Sequence, residues 1–226
     1  MMNNFFKFSL VTIGIIFSIT KSFGQIFEGW ITYKIEAVNP DTTLIDDSTW
    51  QLSMKEVFGE QKHIIQRCYY KRNRYIADIN AGKQNGWQAY NVTDKLLYSW
   101  NDNNDTAITV DTKKSLDPFL EIKDNDMTDT ILDIPCKSVT LTSRFGQMTL
   151  WYNTDYFKID STLFEGYKYG HWEQIAKRIG CLPLKIRQEG LNGSTLQTAI
   201  SYKKESINDD IFKIPEFKTV IKNPIN

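Results

Sequence analysis

The segment Cys136–Pro215 carries KSVTLT (Lys137–Thr142), QMTLWY (Gln147–Tyr152), LKIRQE (Leu184–Glu189) and TLQTAISY (Thr195–Tyr202). Val139 and Leu141, Leu184 and Ile186, and Leu196, Thr198, Ile200 and Tyr202 recur every second position, the period at which a strand returns side chains to one face. Between the second and third runs the period changes. Over Tyr167–Ile179 the apolar Trp172, Ile175, Ala176 and Ile179 fall at i, i+3, i+4 and i+7, opposite Glu173, Lys177 and Arg178. That spacing predicts an amphipathic helix. Gly180 suits the position after its end, and Lys177 and Arg178 suit the negative end of its dipole.

Working outward, QIFEGWITYKIEAV (Gln25–Val38) alternates over its whole length, with Phe27, Ile31, Tyr33 and Ile35 sharing one face. Asn39-Pro40-Asp41 ends that strand, because proline cannot donate to a ladder and Asn and Asp favour turns. Trp50–Phe58 fits either period and is read as a strand. His63–Tyr70 with Arg74–Ile79, and Trp87–Asn91 with Leu96–Trp100, read as two hairpins, and Thr106–Val110 as a further strand. Ile131–Thr142 leads into the central segment, and Asp210–Pro215 closes the fold. The residues after it are read as extended.

About ten short strands and one helix predict a mainly β (α+β) chain. Its expected architecture is a curved antiparallel half-barrel sheet, with one or two helices covering the concave face. One domain over residues 25–226 is expected, since no linker or repeat divides the chain and single β domains often run to about 200–250 residues. A single helix cannot roof so wide a sheet, so a partly filled apolar cavity and a plain core both remain open.

The N-terminus reads as a targeting segment. Phe8–Ile19 is an apolar run shorter than the roughly 20 residues that span a bilayer. Lys7 precedes it, and Ser22 and Gly24 stand at −3 and −1 before Gln25, which marks residues 1–24 as a cleavable secretory signal. No cysteine lies near that point, which argues against a lipid-modified N-terminus, and no membrane span is expected after cleavage. Removing residues 1–24 takes away Lys7 and Lys21 and no acid, leaving 25 basic against 27 acidic residues. That balance gives no reason to expect nucleic acid as a partner.

Three cysteines, Cys68, Cys136 and Cys181, leave one thiol over if two pair. Cys136 and Cys181 each start a strand and flank the helix, so they are the pair to test; three buried free thiols are the alternative. No metal site is expected, with only His63 and His171 and no CxxC. A nucleophile elbow and a glycine-rich phosphate loop are both absent from the sequence. No catalytic residue and no cofactor is therefore expected.

Four short motifs, in order, resemble a known set: Ile134-Pro135-Cys136-Lys137-Ser138-Val139-Thr140, Thr149-Leu150-Trp151-Tyr152-Asn153-Thr154-Asp155, Gly180-Cys181-Leu182-Pro183-Leu184-Lys185-Ile186 and Asp209-Asp210-Ile211-Phe212-Lys213-Ile214-Pro215. They are similar to exported domain-of-unknown-function proteins of Bacteroidota akin to the GLPGLI proteins. The fold this implies resembles the lipoprotein carriers LolA and LolB. Ile134-Pro135 departs from the usual Gly-Tyr before the cysteine, and the GLPGLI hexapeptide is missing. The resemblance implies a half-closed barrel with helices in its mouth and transfers no catalytic residue.

The aromatic content (Trp30, Trp87, Trp100, Trp151, Trp172 and eleven tyrosines in the chain) is explained by core and cross-strand packing or by an apolar concavity. On the second reading Trp172, Ile175 and Ile179 form a lid. Phe27, Ile31, Tyr33, Leu150 and Tyr152 form part of the floor beneath a lipid or a lipidated partner. The expected function is thus that of a non-enzymatic periplasmic or secreted envelope protein binding an apolar ligand. The alternative is a structural or interaction protein of the envelope with a filled core.

Overall fold

The computed structural model describes residues 25–191 and 193–223; the expected signal segment 1–24 lies outside them. Twelve strands of the described residues form one sheet. They are β1 (Gly29–Val38), β2 (Ile64–Lys71), β3 (Arg74–Asn80), β4 (Asn85–Asn91), β5 (Leu96–Asn101), β6 (Thr106–Asp111), β7 (Phe119–Ile131), β8 (Ile134–Ser143), β9 (Gly146–Tyr152), β10 (Lys185–Gly190), β11 (Gly193–Lys204) and β12 (Thr219–Lys222). Their spatial order is β12-β6-β5-β4-β3-β2-β1-β11-β10-β9-β8-β7. Every pairing is antiparallel except that of β12 with β6.

This order requires curvature. β6 and β7 stand ten strand spacings apart, which in a flat sheet is about 48 Å at ~4.8 Å per spacing. Only residues 112–118 join them, a reach of about 28 Å fully extended. The sheet must therefore curl until its two ends approach, and its class is the mainly β, curved antiparallel one expected.

Register fixes which side chains face the hollow. Across one half, Tyr70, Tyr75, Tyr90, Leu97 and Val110 are successive partners, and Ile31, Cys68 and Ala77 form the next row. Across the other half, Val139, Leu150, Ile186, Gln197 and Ile35 are partners, and so are Leu141, Met148, Gln188 and Thr195. The connection from β9 to β10, residues 153–184, leaves the sheet and lies over this face. It contains α2 (Trp172–Ile179), which buries Ile175, Ala176 and Ile179.

The helix spans its apolar pattern but is shorter than the expected Tyr167–Ile179. Gly170 and His171 both have φ of 62°, in the left-handed region, which interrupts the helical path before Trp172. At the other end Gly180 behaves as expected, with φ of 66° and its N–H donating to the Ala176 carbonyl. Lys177 pairs with Glu173 at 2.8 Å, and Arg178 reaches Asp124 on β7 at 2.6 Å.

Three local readings are corrected. Trp50–Phe58, expected as a strand, belongs to α1 (Asp47–Phe58). The Asp46 carboxylate accepts from the Thr49 N–H at 3.0 Å and from the Ser48 and Thr49 hydroxyls, an N-cap that outweighs the partial alternation. Ile131–Thr142 is not one continuous lead-in: Ile131 ends β7 and Ile134 opens β8, because Leu132 and Asp133 adopt φ of 53° and 62° and turn the chain. The residues after Pro215 are extended, but they also pair. They cross the convex face, where Phe217 meets Trp100 at 5.5 Å, and end as β12 beside β6.

Candidate functional site

The two halves of the concave face meet different parts of the β9–β10 connection. Over β1–β6 the connection delivers Phe157, Leu163, Phe164 and Tyr167, all buried. Phe157 stands edge-on to Phe27 at 5.0 Å, and Tyr167 edge-on to Tyr90 at 4.6 Å. Backbone bonds fasten this cover: the Phe27 N–H donates to the Lys158 carbonyl at 2.7 Å, and the Lys168 N–H to the Thr112 carbonyl at 2.7 Å. Tyr33, 2% exposed, donates its hydroxyl to the Pro183 carbonyl at 3.0 Å. Burial raises the pKa of Tyr33, Tyr70 and Tyr75 well above the ordinary phenol range, and that of the Cys68 thiol to about 12. This half is filled.

Over β8–β11 the cover stops short. Ile175 and Ile179 pack on Val139, Leu150, Tyr152 and Cys181, and beyond the start of α2 a cleft of about 550 Å³ remains. Its floor is the Leu141, Met148, Gln188 and Thr195 row with Ile186 and Gln197, and one wall is Trp172 with Tyr169 and His171. Trp172 contacts both clusters and stacks on Phe164 at 5.1 Å, so it marks the border between filled and open halves. Across the floor Leu141 and Met148 on β8 and β9 are apolar, Ile186 on β10 continues that surface, and Gln188, Thr195 and Gln197 on β10 and β11 add two amides and a hydroxyl. Leu116, Phe145, Tyr169 and Leu191, all exposed, stand round the mouth.

A polar cluster of half-buried Asp117 with buried Ser143 and His171 borders the cleft. Asp117, in the loop joining β6 to β7, accepts from the Ser143 hydroxyl at 2.5 Å and from the Phe145 N–H at 3.0 Å. His171 Nε2 lies 3.5 Å from the same carboxylate, and His171 is 5% exposed. The aspartate sits between serine and histidine. Because Ser143 is not bonded to His171, this is not the order of a nucleophile activated by a base. It ties the β6–β7 loop to the β8–β9 turn and to the start of α2.

The eight expected ligand-binding residues are thus distributed unevenly. Phe27, Ile31 and Tyr33 lie in the filled half, Ile175 and Ile179 form the buried face of α2, and Leu150 lies beneath them, each at most 4% exposed. Tyr152, 3% exposed, borders a shallower recess of about 680 Å³ at the end of the β7–β8 hairpin, with Asp129, Cys136 and Lys137. Only Trp172 lines the cleft. Leu141, Met148, Ile186, Gln188 and Gln197 escaped the sequence reading, although the alternation of their strands places them on the face of Leu150.

All three cysteines are buried free thiols, so the pair Cys136 and Cys181 is not bonded here. Burial raises their pKa to about 11 and about 12, with the Asp129 charge adding to Cys136. Among the described residues no group of three His, Cys, Asp or Glu side chains could hold a metal ion. No helix of the described residues is long and apolar enough to cross a membrane.

Comparison with family models finds no match, and comparison with curated proteins finds none either. Solved structures do match. PNGF-II in its P21 crystal form is 17% identical over 87% of this chain, with a TM-score of 0.45. This chain spans only 31% of that one. An uncharacterized conserved protein from Thermus thermophilus is 9% identical over 87% of this chain and 91% of its own, at 0.47. LprF from Mycobacterium bovis is 8% identical over 80% and 89%, at 0.31. Likenesses this distant assign no ligand and no residue role to this chain.

Proposed function

We propose that this is an exported, non-enzymatic envelope protein that binds an apolar ligand, a lipid or the acyl chain of a lipidated partner, in the cleft beside Trp172. The cleft carries the reading. Its volume of about 550 Å³ falls within the roughly 300–1,000 Å³ of small-molecule sites, and it joins an apolar floor to a few convergent polar groups. The exposed Leu116, Phe145, Tyr169 and Leu191 stand round the mouth, and the half-buried Met148, with the more deeply set Leu141 and Ile186 beside it, is the apolar surface a chain would meet. The export signal and the GLPGLI-like motifs agree with an envelope location and form part of the same proposal. A second reading, a structural or interaction protein with a filled core, draws on the packing of Phe27, Ile31 and Tyr33 under Phe157, Phe164 and Tyr167.

Nile red titration and native mass spectrometry of protein from its own envelope test the proposal. The expected results are saturable one-to-one dye binding and a retained lipid mass. Gln188→Trp, at an exposed position on the cleft floor, should abolish dye binding while leaving Tm unchanged. Absence of saturable binding by the unaltered protein would establish the filled-core reading instead.

A further inference from the structure

We infer that the ligand of this cleft is an amphiphile with an uncharged, hydrogen-bonding head group, such as an ester, amide or polyol, rather than a carboxylate or phosphate. The inference rests on the cleft being a ligand site and names the chemistry of what it takes.

Among the described residues lining the cleft there is no lysine and no arginine. An anionic head would find no counter-ion and would lose hydration on entering. Nor does the cleft offer a free anion to a cationic head. The Asp117 carboxylate is already engaged by the Ser143 hydroxyl and the Phe145 N–H, with His171 Nε2 beside it. Glu189 also lines the cleft, but its carboxylate is engaged, pairing with Arg187 at 2.8 Å and accepting from Gln147 at 3.1 Å. Arg144, in the β8–β9 turn, lies over the Phe145 ring at 5.9 Å and is not among the lining residues.

What the polar side of the floor does offer is Gln188, Gln197 and Thr195, neutral groups that both donate and accept. They lie on β10 and β11, while Leu141 and Met148 lie on β8 and β9 in the same or the adjoining register row. A chain laid against Met148 and Trp172 therefore places its head beside the two amides.

Competition against Nile red at pH 8 tests this with three amphiphiles of one chain length: a fatty acid, its glycerol monoester and its trimethylammonium analogue. The monoester should bind at least about tenfold more tightly than either charged form, the ratio that one unsatisfied polar group brings. Gln188→Lys should invert the preference toward the fatty acid. Charged forms that bind as tightly as the monoester in the unaltered protein would overturn the inference while leaving the cleft a ligand site. A Gln188→Lys variant with an unchanged ratio would remove the head group from the amide side and overturn it also. If Nile red itself never binds, the cleft reading fails and this inference falls with it.

Discussion

The concave face over β1–β6 and the same face over β8–β11 belong to one sheet, yet one is closed and the other open. The difference lies in what the β9–β10 connection lays on each. Phe157, Leu163, Phe164 and Tyr167 pack with the Tyr70-Tyr75-Tyr90 row in one buried cluster and cover it. On the other half α2 begins only at Trp172, because Gly170 and His171 hold the chain in the left-handed region. The Leu141-Met148-Gln188-Thr195 row is left partly uncovered. Curvature makes the hollow; the start of α2 decides how much of it stays empty.

The largest way to break this comparison is Phe164→Ala. Phe164 is 4% exposed and packs on Trp172 and Tyr167, so its loss should cost about 3–5 kcal/mol in urea unfolding. A cost below about 1 kcal/mol, the range of surface substitutions, would show that the half called filled is not packed.

Alkaline unfolding is the next lever, and its sign follows from burial. The folded state raises the pKa of Cys68 and Cys181 to about 12 and of Cys136 to about 11, from an ordinary 9.0. The neutral thiols favoured by burial stabilise the fold fully below the unfolded pKa. That contribution is lost as pH rises from about 9 through 11 and 12. Urea midpoints should hold up to about pH 8.5 and fall steeply above it. Flat midpoints to pH 11 would contradict burial of the thiols.

Trp172→Ala acts on the border. It is half-buried and touches both clusters, so about 2 kcal/mol of stability should go, less than for a fully buried aromatic. Nile red affinity should fall at least about tenfold. The smallest stability effect belongs to Gln188→Trp, within about 0.5 kcal/mol of the unaltered protein, with dye binding lost. Loss of both stability and binding there would mean that Gln188 packs in the core.

Most strands were legible because alternation over Leu184–Glu189 or Gln147–Tyr152 is local. So was the end of α2, where an amphipathic face meets Gly180. β7 was not, because most of its residues are exposed and polar and no buried face marks an alternation. The Asp46 N-cap of α1 was also present in the sequence, as Asp46-Asp47-Ser48-Thr49, but Trp50, Leu52 and Met54 alternate well enough to mask it. The site was less legible. Phe27, Ile31 and Tyr33 lie on the hollow side as their alternation states, yet whether a hollow-facing residue is covered depends on residues far along the chain. Phe157 reaches Phe27, and Tyr167 reaches Tyr90, only once the β9–β10 connection is laid across the sheet. The left-handed His171 is likewise a tertiary outcome, fastened beside Asp117 from the β6–β7 loop. No periodicity in Tyr167–Ile179 announces it.

The division of the hollow is tested most directly by methyl NMR during titration with a monoester amphiphile. Shifts should appear at Leu141, Met148 and Ile186 and stay absent at Ile31, Leu97, Val110 and Leu163. Shifts concentrated at the second group, or spread evenly over both, would contradict a hollow that is closed on one side and open on the other.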